Sequence, residues 1–137
     1  MKNKLKMYRR LQTLKKKDIN RDQYQSNLIS KEIKKTSSLI EKIDMIIDEN
    51  SRFKDGRFIS AAEFKNNSNL LTTLATQKNV AKNKNEFLSE QKNQFDLRIA
   101  KNNKDKKRVS EKYNDVLKLY KEELEKKNQI FIRKNKN

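Results

Sequence analysis

The stretch that decides the fold covers residues 29–47 and reads ISKEIKKTSSLIEKIDMII. Within it, apolar residues recur at alternating intervals of four and three, and only one of these positions is polar. The positions are Ile29, Ile33, Thr36, Ile40, Ile43 and Ile47, and Leu39 and Ile46 widen the stripe. This spacing predicts an α-helix that packs one face against another helix.

Towards the N-terminus the same register continues, but it meets mostly polar residues. The earlier positions are Ser26, Asp22, Ile19, Lys15, Gln12, Tyr8 and Leu5. Leu11 and Leu14 fall outside this register. We therefore expect a stutter or a loosely packed N-terminal end in the first helix.

A second, longer heptad pattern begins at Leu71, taken here as position a. The a positions are Leu71, Lys78, Asn85, Lys92, Ile99, Lys106, Tyr113, Tyr120 and Lys127. The d positions are Leu74, Ala81, Leu88, Phe95, Asn102, Val109, Val116, Glu123 and Ile130. Because Lys and Asn recur at a, the pattern predicts a single partner helix and a partly hydrated interface.

The two patterns are separated by a break that contains the turn dipeptide Asp55-Gly56. Ser60 and Glu63 follow with the spacing of a capping box, in which the Ser60 hydroxyl accepts a hydrogen bond from the Glu63 amide and the Glu63 carboxylate reaches back to the Ser60 amide. Ile59 and Phe64 have the spacing of a hydrophobic staple. The predicted bounds are about 4–50 for the first helix, 51–59 for the loop and 60–132 for the second helix.

Two helices with one apolar face each, joined by a short loop, predict an all-α fold. The expected architecture is a single domain over residues 1–137, a long antiparallel two-helix coiled-coil hairpin whose second helix is the longer. If pairing starts at the loop, the first helix ends opposite residue 107. We then expect about 25 residues of the second helix to project, with Tyr113, Val116, Leu117, Tyr120 and Leu124 on an exposed stripe. This stripe would bind a partner, or its aromatic residues Tyr113 and Tyr120 would form the core of a dimer.

Composition excludes most catalytic chemistry. The 137 residues include no Cys, no His and one Gly, which removes thiolate nucleophiles, imidazole acid–base catalysis, His- or Cys-ligated metals and Gly-rich phosphate loops. We therefore expect a protein that is not an enzyme and that uses no metal and no cofactor.

The net charge of +17, from 35 basic and 18 acidic residues, is concentrated near both termini. The first 17 residues hold eight basic residues and no acid, and a hairpin brings them close to the basic run from Lys126 to Lys136. That end suits phosphates, an acidic protein surface or anionic lipid, or it is simply a solvated face. The absence of a long apolar run predicts a cytoplasmic protein, although an acid-free amphipathic start is also typical of organelle transit peptides.

Three local patterns carry a resemblance to a known family. They are the opening MYRRLQTL at residues 7–14, FISAAEF at residues 58–64, and the leucines Leu70, Leu71 and Leu74 before a long charged helix. Together they resemble the FliJ family, the stalk and escort-chaperone component of the flagellar type III export ATPase, and its injectisome counterparts.

The resemblance implies a non-enzymatic hairpin similar to the paired helices of a rotary ATPase γ subunit. Its open end would sit in the pore of a hexameric export ATPase, and the region near the loop would contact the export-gate membrane protein, with export chaperones as further partners. It implies a cytoplasmic protein held peripherally at the inner face of the cell membrane through these partners, with a role in flagellum assembly and motility. Carried over by position, the gate-facing residues are Ile43, Ile47, Leu70, Leu74 and Gln77.

For the ATPase ring, hairpin geometry rather than a motif points to Arg9, Arg10, Tyr120 and Leu124. Two other functions remain open: a basic coiled-coil nucleic-acid-binding protein, and a generic coiled-coil chaperone or scaffold. Nucleic acid is the less favoured partner, because Arg is scarce and the aromatic residues follow helical seam spacing.

Overall fold

The computed structural model describes residues 1–54 and 60–135. They form two helices, α1 from Lys2–Lys54 and α2 from Ala61–Asn135. The described part of the chain is all-α and contains no strand, and its two helices form a hairpin in which the second is the longer, as predicted. Within these residues, neither helix has a segment long and apolar enough to cross a membrane.

The first helix is longer than its pattern predicted. Residues 51–54 fall in the predicted loop, but they continue α1. This segment contains no Gly or Pro, so nothing in its covalent structure ends a helix before Gly56. The expected turn at Asp55-Gly56 and the staple residue Ile59 lie outside the described residues.

The start of α2 follows the predicted cap. The backbone N–H of Glu63 donates to Ser60 Oγ at 3.2 Å, and the N–H of Phe64 donates to the Ser60 carbonyl oxygen at 2.9 Å. The first bond satisfies a donor that a helix N-terminus would otherwise leave unpaired, and the second is the first bond of the helix's own i→i−4 series. The Ser60 half of the capping box is therefore confirmed.

The hairpin divides into two compact units, each built from both helices. Unit 1 contains Met1–Tyr24 and Asp96–Asn137, and unit 2 contains Gln25–Phe95. The antiparallel register is visible inside each unit. In unit 2, Ser37 contacts Asn85 and Asp44 contacts Lys78, so seven residues forward on α1 match seven residues back on α2.

Every heptad position of α1 from residue 5 to residue 47 is buried or half-buried. In unit 1 these positions are Leu5, Tyr8, Gln12, Lys15, Ile19 and Asp22. In unit 2 they are Ser26, Ile29, Ile33, Thr36, Ile40, Ile43 and Ile47. Leu11 and Leu14 are exposed. The expected stutter is therefore wrong for the described residues, because the polar positions keep the register that the isoleucines set.

The α2 pattern is also buried or half-buried from Leu71 to Tyr120, and every described residue from Lys121 onward is exposed. In unit 1, Gln12 Nε2 donates to Ser110 Oγ at 3.0 Å, so α1 packs well beyond residue 107. The predicted projection of 25 residues is thus too long, and Tyr113, Val116, Leu117 and Tyr120 lie along the paired region. The reason lies near the loop. Residues 61–66 of α2 are exposed, so pairing with α1 begins only after the first turns of α2 and reaches correspondingly further towards the C-terminus.

The polar seam residues of unit 1 differ in how well they are satisfied. Lys15 Nζ donates to Asn102 Oδ1 at 3.2 Å and lies 3.4 Å from Asp105 Oδ2, which links the helices across the seam. Asp22 is 1% exposed, yet neither of its carboxylate oxygens has a hydrogen-bond partner, and Arg21 Nε lies 3.8 Å from its Oδ1. A buried carboxylate without hydrogen bonds destabilises the fold that contains it.

We therefore expect Asp22→Leu to raise the free energy of unfolding by about 1–3 kcal/mol, since it replaces an unsatisfied buried group by an apolar one at a seam position. Chemical denaturation followed by circular dichroism measures the change. The matched control is Asp48→Leu at an exposed position of α1, where the change should stay within about 0.5 kcal/mol. A less stable Asp22→Leu chain would show that the carboxylate supports the seam.

Candidate partner-binding surfaces

The structure separates the five predicted gate-facing residues into two groups. Ile43 and Leu74 are buried in the seam, 3% and 8% exposed, and Ile47 is half-buried. Leu70 and Gln77 are exposed. A partner that docks on the closed hairpin therefore reaches Leu70 and Gln77, whereas the other three side chains hold α1 and α2 together.

Leu70 lies on one flank of unit 2, beside the seam. On this flank Lys84 of α2 lies opposite Glu32 of α1, with 3.7 Å between Lys84 Nζ and Glu32 Oε2. Two heptads nearer the loop, the same antiparallel register places Ile46 of α1 next to Leu70 of α2. Both side chains are exposed, so they form a small apolar surface where a coiled coil usually carries charged pairs.

Three further exposed apolar residues lie on this side of unit 2. Leu39 lies one heptad before Ile46 on α1. On α2, Val80 and Phe87 come three residues after Gln77 and Lys84, which share the flank position of Leu70, so they lie on the adjacent strip of the helix surface. We call the whole set the apolar flank; its members are Leu39, Ile46, Leu70, Val80 and Phe87. The heptad pattern assigned Leu39 and Ile46 only to a widened stripe, and it gave no role to Val80 or Phe87. Apolar residues at flank positions were the signal for this surface.

The other flank of unit 2 is polar. Asn85 Nδ2 donates to Ser37 Oγ at 3.1 Å, and Lys78 forms an ion pair with Asp44. Each contact joins a polar α1 residue beside the seam to a polar a position of α2, although Asn85 Oδ1 has no hydrogen-bond partner. The two flanks of unit 2 therefore differ in chemistry, and only the apolar flank offers a surface that another protein segment would bury.

The predicted ring-facing residues all lie in unit 1. Arg9 Nη2 donates to the Tyr113 hydroxyl at 3.2 Å, and its guanidinium carbon lies 6.0 Å from the centre of the Tyr113 ring. Arg9 is thus already engaged across the helix pair. Arg10 and Leu124 are exposed, and Tyr120 is half-buried. Of the four, Arg10 and Leu124 are the ones most available to a partner.

A second exposed apolar set lies on α1 in unit 1, around Arg10. Its members are Met7, Leu11 and Leu14, which share one side of the helix at intervals of four and three. Their place outside the seam register explains why they do not pair with α2. Over the described residues, no group of three or more acidic side chains is arranged to hold a metal ion.

Comparison with known proteins found no match to any protein-family model, any curated protein or any solved structure. The seam and these surfaces are therefore the features of the chain that bear on its function.

Two isoleucines three residues apart on α1 provide a direct test of the seam assignment. We expect Ile43→Ala to lower the free energy of unfolding by about 2–4 kcal/mol, because it removes a buried side chain. Ile46→Ala makes the same chemical change on the exposed flank and should cost less than about 1 kcal/mol. Equal losses in urea titrations of the two variants would contradict the division between seam and flank.

Proposed function

We propose that this chain is the non-enzymatic stalk of a type III protein-export ATPase, joining the ATPase ring to the export gate. The observation that carries the proposal is the apolar flank of unit 2, on a hairpin whose seam is already filled. Exposed apolar side chains clustered on one flank are typical of a surface that a partner covers. Unit 1 carries a separate exposed apolar set around Arg10, so the chain has two separate surfaces that two partners could cover.

The construction of the hairpin supports a mechanical role. Each helix is held by a long, narrow seam rather than by a globular core, and the described side chains present no converging acid–base group. A paired helix resists bending more than a single one, so a displacement imposed on one part of the pair is passed along it. Many weak contacts with a basic surface would let a ring turn around the helices without a deep energy minimum.

The apolar flank is the proposed gate-binding surface. Near it on α1 lie Lys35 and Lys42, and Lys84 borders it on α2. Lys35 and Lys84 both pair with Glu32, which leaves this border with a net positive charge. Since the whole chain carries +17 charges, the partner segment that fits is an amphipathic helix with acidic borders. Such a helix would bury its apolar side on Leu70, Ile46 and Leu39, forming a local three-helix arrangement.

We expect Leu70→Asp to weaken binding to the cytoplasmic domain of the export gate by at least about tenfold, because a carboxylate would enter a buried apolar contact. Isothermal titration calorimetry with the purified domain measures the affinity. The control is Leu97→Asp, the same change at another exposed leucine of α2, in unit 1. Both variants should keep the wild-type helicity and melting temperature; unchanged affinity in a folded Leu70→Asp chain would reject the flank as the gate surface.

The ATPase-facing surface has its own test. We expect Leu124→Asp to reduce stimulation of the purified export ATPase by this chain while gate binding is kept, since Leu124 is exposed and lies in unit 1. Leu97→Asp again serves as the control. If neither the ATPase nor the gate binds the wild-type chain, and duplex DNA binds with a steep dependence on salt, the nucleic-acid alternative replaces the stalk.

A further inference from the structure

The last ten described residues of α2 combine cations with exposed apolar groups. We call residues 126–135 the terminal segment. Lys126, Lys127, Arg133 and Lys134 give it four positive charges, and it contains no acid. Every residue in it is exposed.

Three bulky apolar residues follow one another in the terminal segment. Ile130, Phe131 and Ile132 are 55%, 65% and 53% exposed. Successive residues of an α-helix point about 100° apart, so this triad spans about 200° of the helix surface. A partner helix covers a stripe of roughly 100° and would leave part of the triad in water. The headgroup region of a bilayer surrounds a half-sunken helix and can cover all three side chains.

We propose that the terminal segment binds an anionic membrane surface, with the triad in the interface and the cations on lipid headgroups. Ile130 and Ile132 lie about 100° to either side of Phe131 on the helix circumference. Lys127 and Lys134 lie within this arc, between Ile130 and Phe131, and their long side chains carry the charges out of it towards phosphates. Lys126 and Arg133 lie outside the arc. The positive charges attract anionic lipids, and the apolar residues hold the segment at the interface.

Other occupants fit these features less well. Nucleic acid would use the cations, but its apolar surface lies between stacked bases and in the grooves, where it would not cover three side chains spread over about 200° of a helix. A second copy would bring another segment with four positive charges against the first, which opposes association. The inference does not rest on the stalk function, because the predicted ring-facing residues all lie before Lys126.

The absence of Trp from the chain allows a local fluorescence test. Phe131→Trp places one indole in the triad, and Phe87→Trp places one on the apolar flank at a similar exposure of 60%. Full-length chains are mixed with vesicles of phosphatidylcholine alone or with phosphatidylglycerol added. We expect a blue shift and quenching by brominated lipid for the indole at position 131 in the anionic vesicles, and neither for the indole at position 87.

The charge requirement is tested on the Phe131→Trp background. Adding Lys126→Gln and Lys127→Gln should lower the partition coefficient for anionic vesicles by about tenfold or more. The matched control makes the same change at Lys82 and Lys101, two exposed lysines elsewhere on α2, and should alter the coefficient by less than about threefold.

The proposal is overturned if the indole at position 131 does not respond to anionic vesicles, if both indoles respond equally, or if duplex DNA shifts its emission and vesicles do not. Equal losses for the two lysine pairs would also overturn it, since they would show attraction by net charge without a role for the terminal segment. Failure of this test leaves gate and ATPase binding unaffected, so it is distinguishable from failure of the stalk function.

Discussion

The structure depends on the fact that each helix has one narrow apolar stripe to remove from water. Hydrophobic residues make up 33% of the chain, too few for a layered core but enough for a seam in which every third or fourth residue is covered. With the stripe as the main source of packing energy, each helix must lie along the other. The hairpin follows, because a single short connection allows the antiparallel arrangement.

The seam is not uniform, and its polar residues play two different roles. Lys15 links the helices through Asn102 and Asp105, and Thr36 satisfies its own buried hydroxyl by donating to the Glu32 carbonyl oxygen. Lys15 thereby keeps the register, and both groups are covered at little cost, since their hydrogen bonds replace those made with water. Asp22 has no such replacement. Register in unit 1 is therefore maintained by polar pairing around a weak position, whereas isoleucines dominate the α1 side of unit 2.

The fold was predictable because its signals are local and repeated. The interval pattern from Ile29 to Ile47 and the cap at Ser60 depend on residues within one or two helical turns. The extent of pairing was not predictable in the same way, since it depends on where α1 ends and on how many residues of α2 precede the first contact. The candidate site was predicted only partly. Periodicity placed Ile43 in the seam and Ile46 beside it, but the positions carried over from the resemblance combined the buried Ile43 and Leu74 with the accessible Leu70 and Gln77.

The limited width of a two-helix interface explains why apolar side chains remain exposed beside the seam. A single partner helix covers about one stripe, so the additional apolar residues Leu39 and Ile46 remain exposed once α2 is in place. Self-association would cover them, but it would bring two chains of net charge +17 together, and the repulsion opposes it. An acidic partner would instead be attracted by the same positive charge. The basic composition thus favours an acidic molecule as the proposed partner of the apolar flank, and the heptad pattern determines where such a partner can lie.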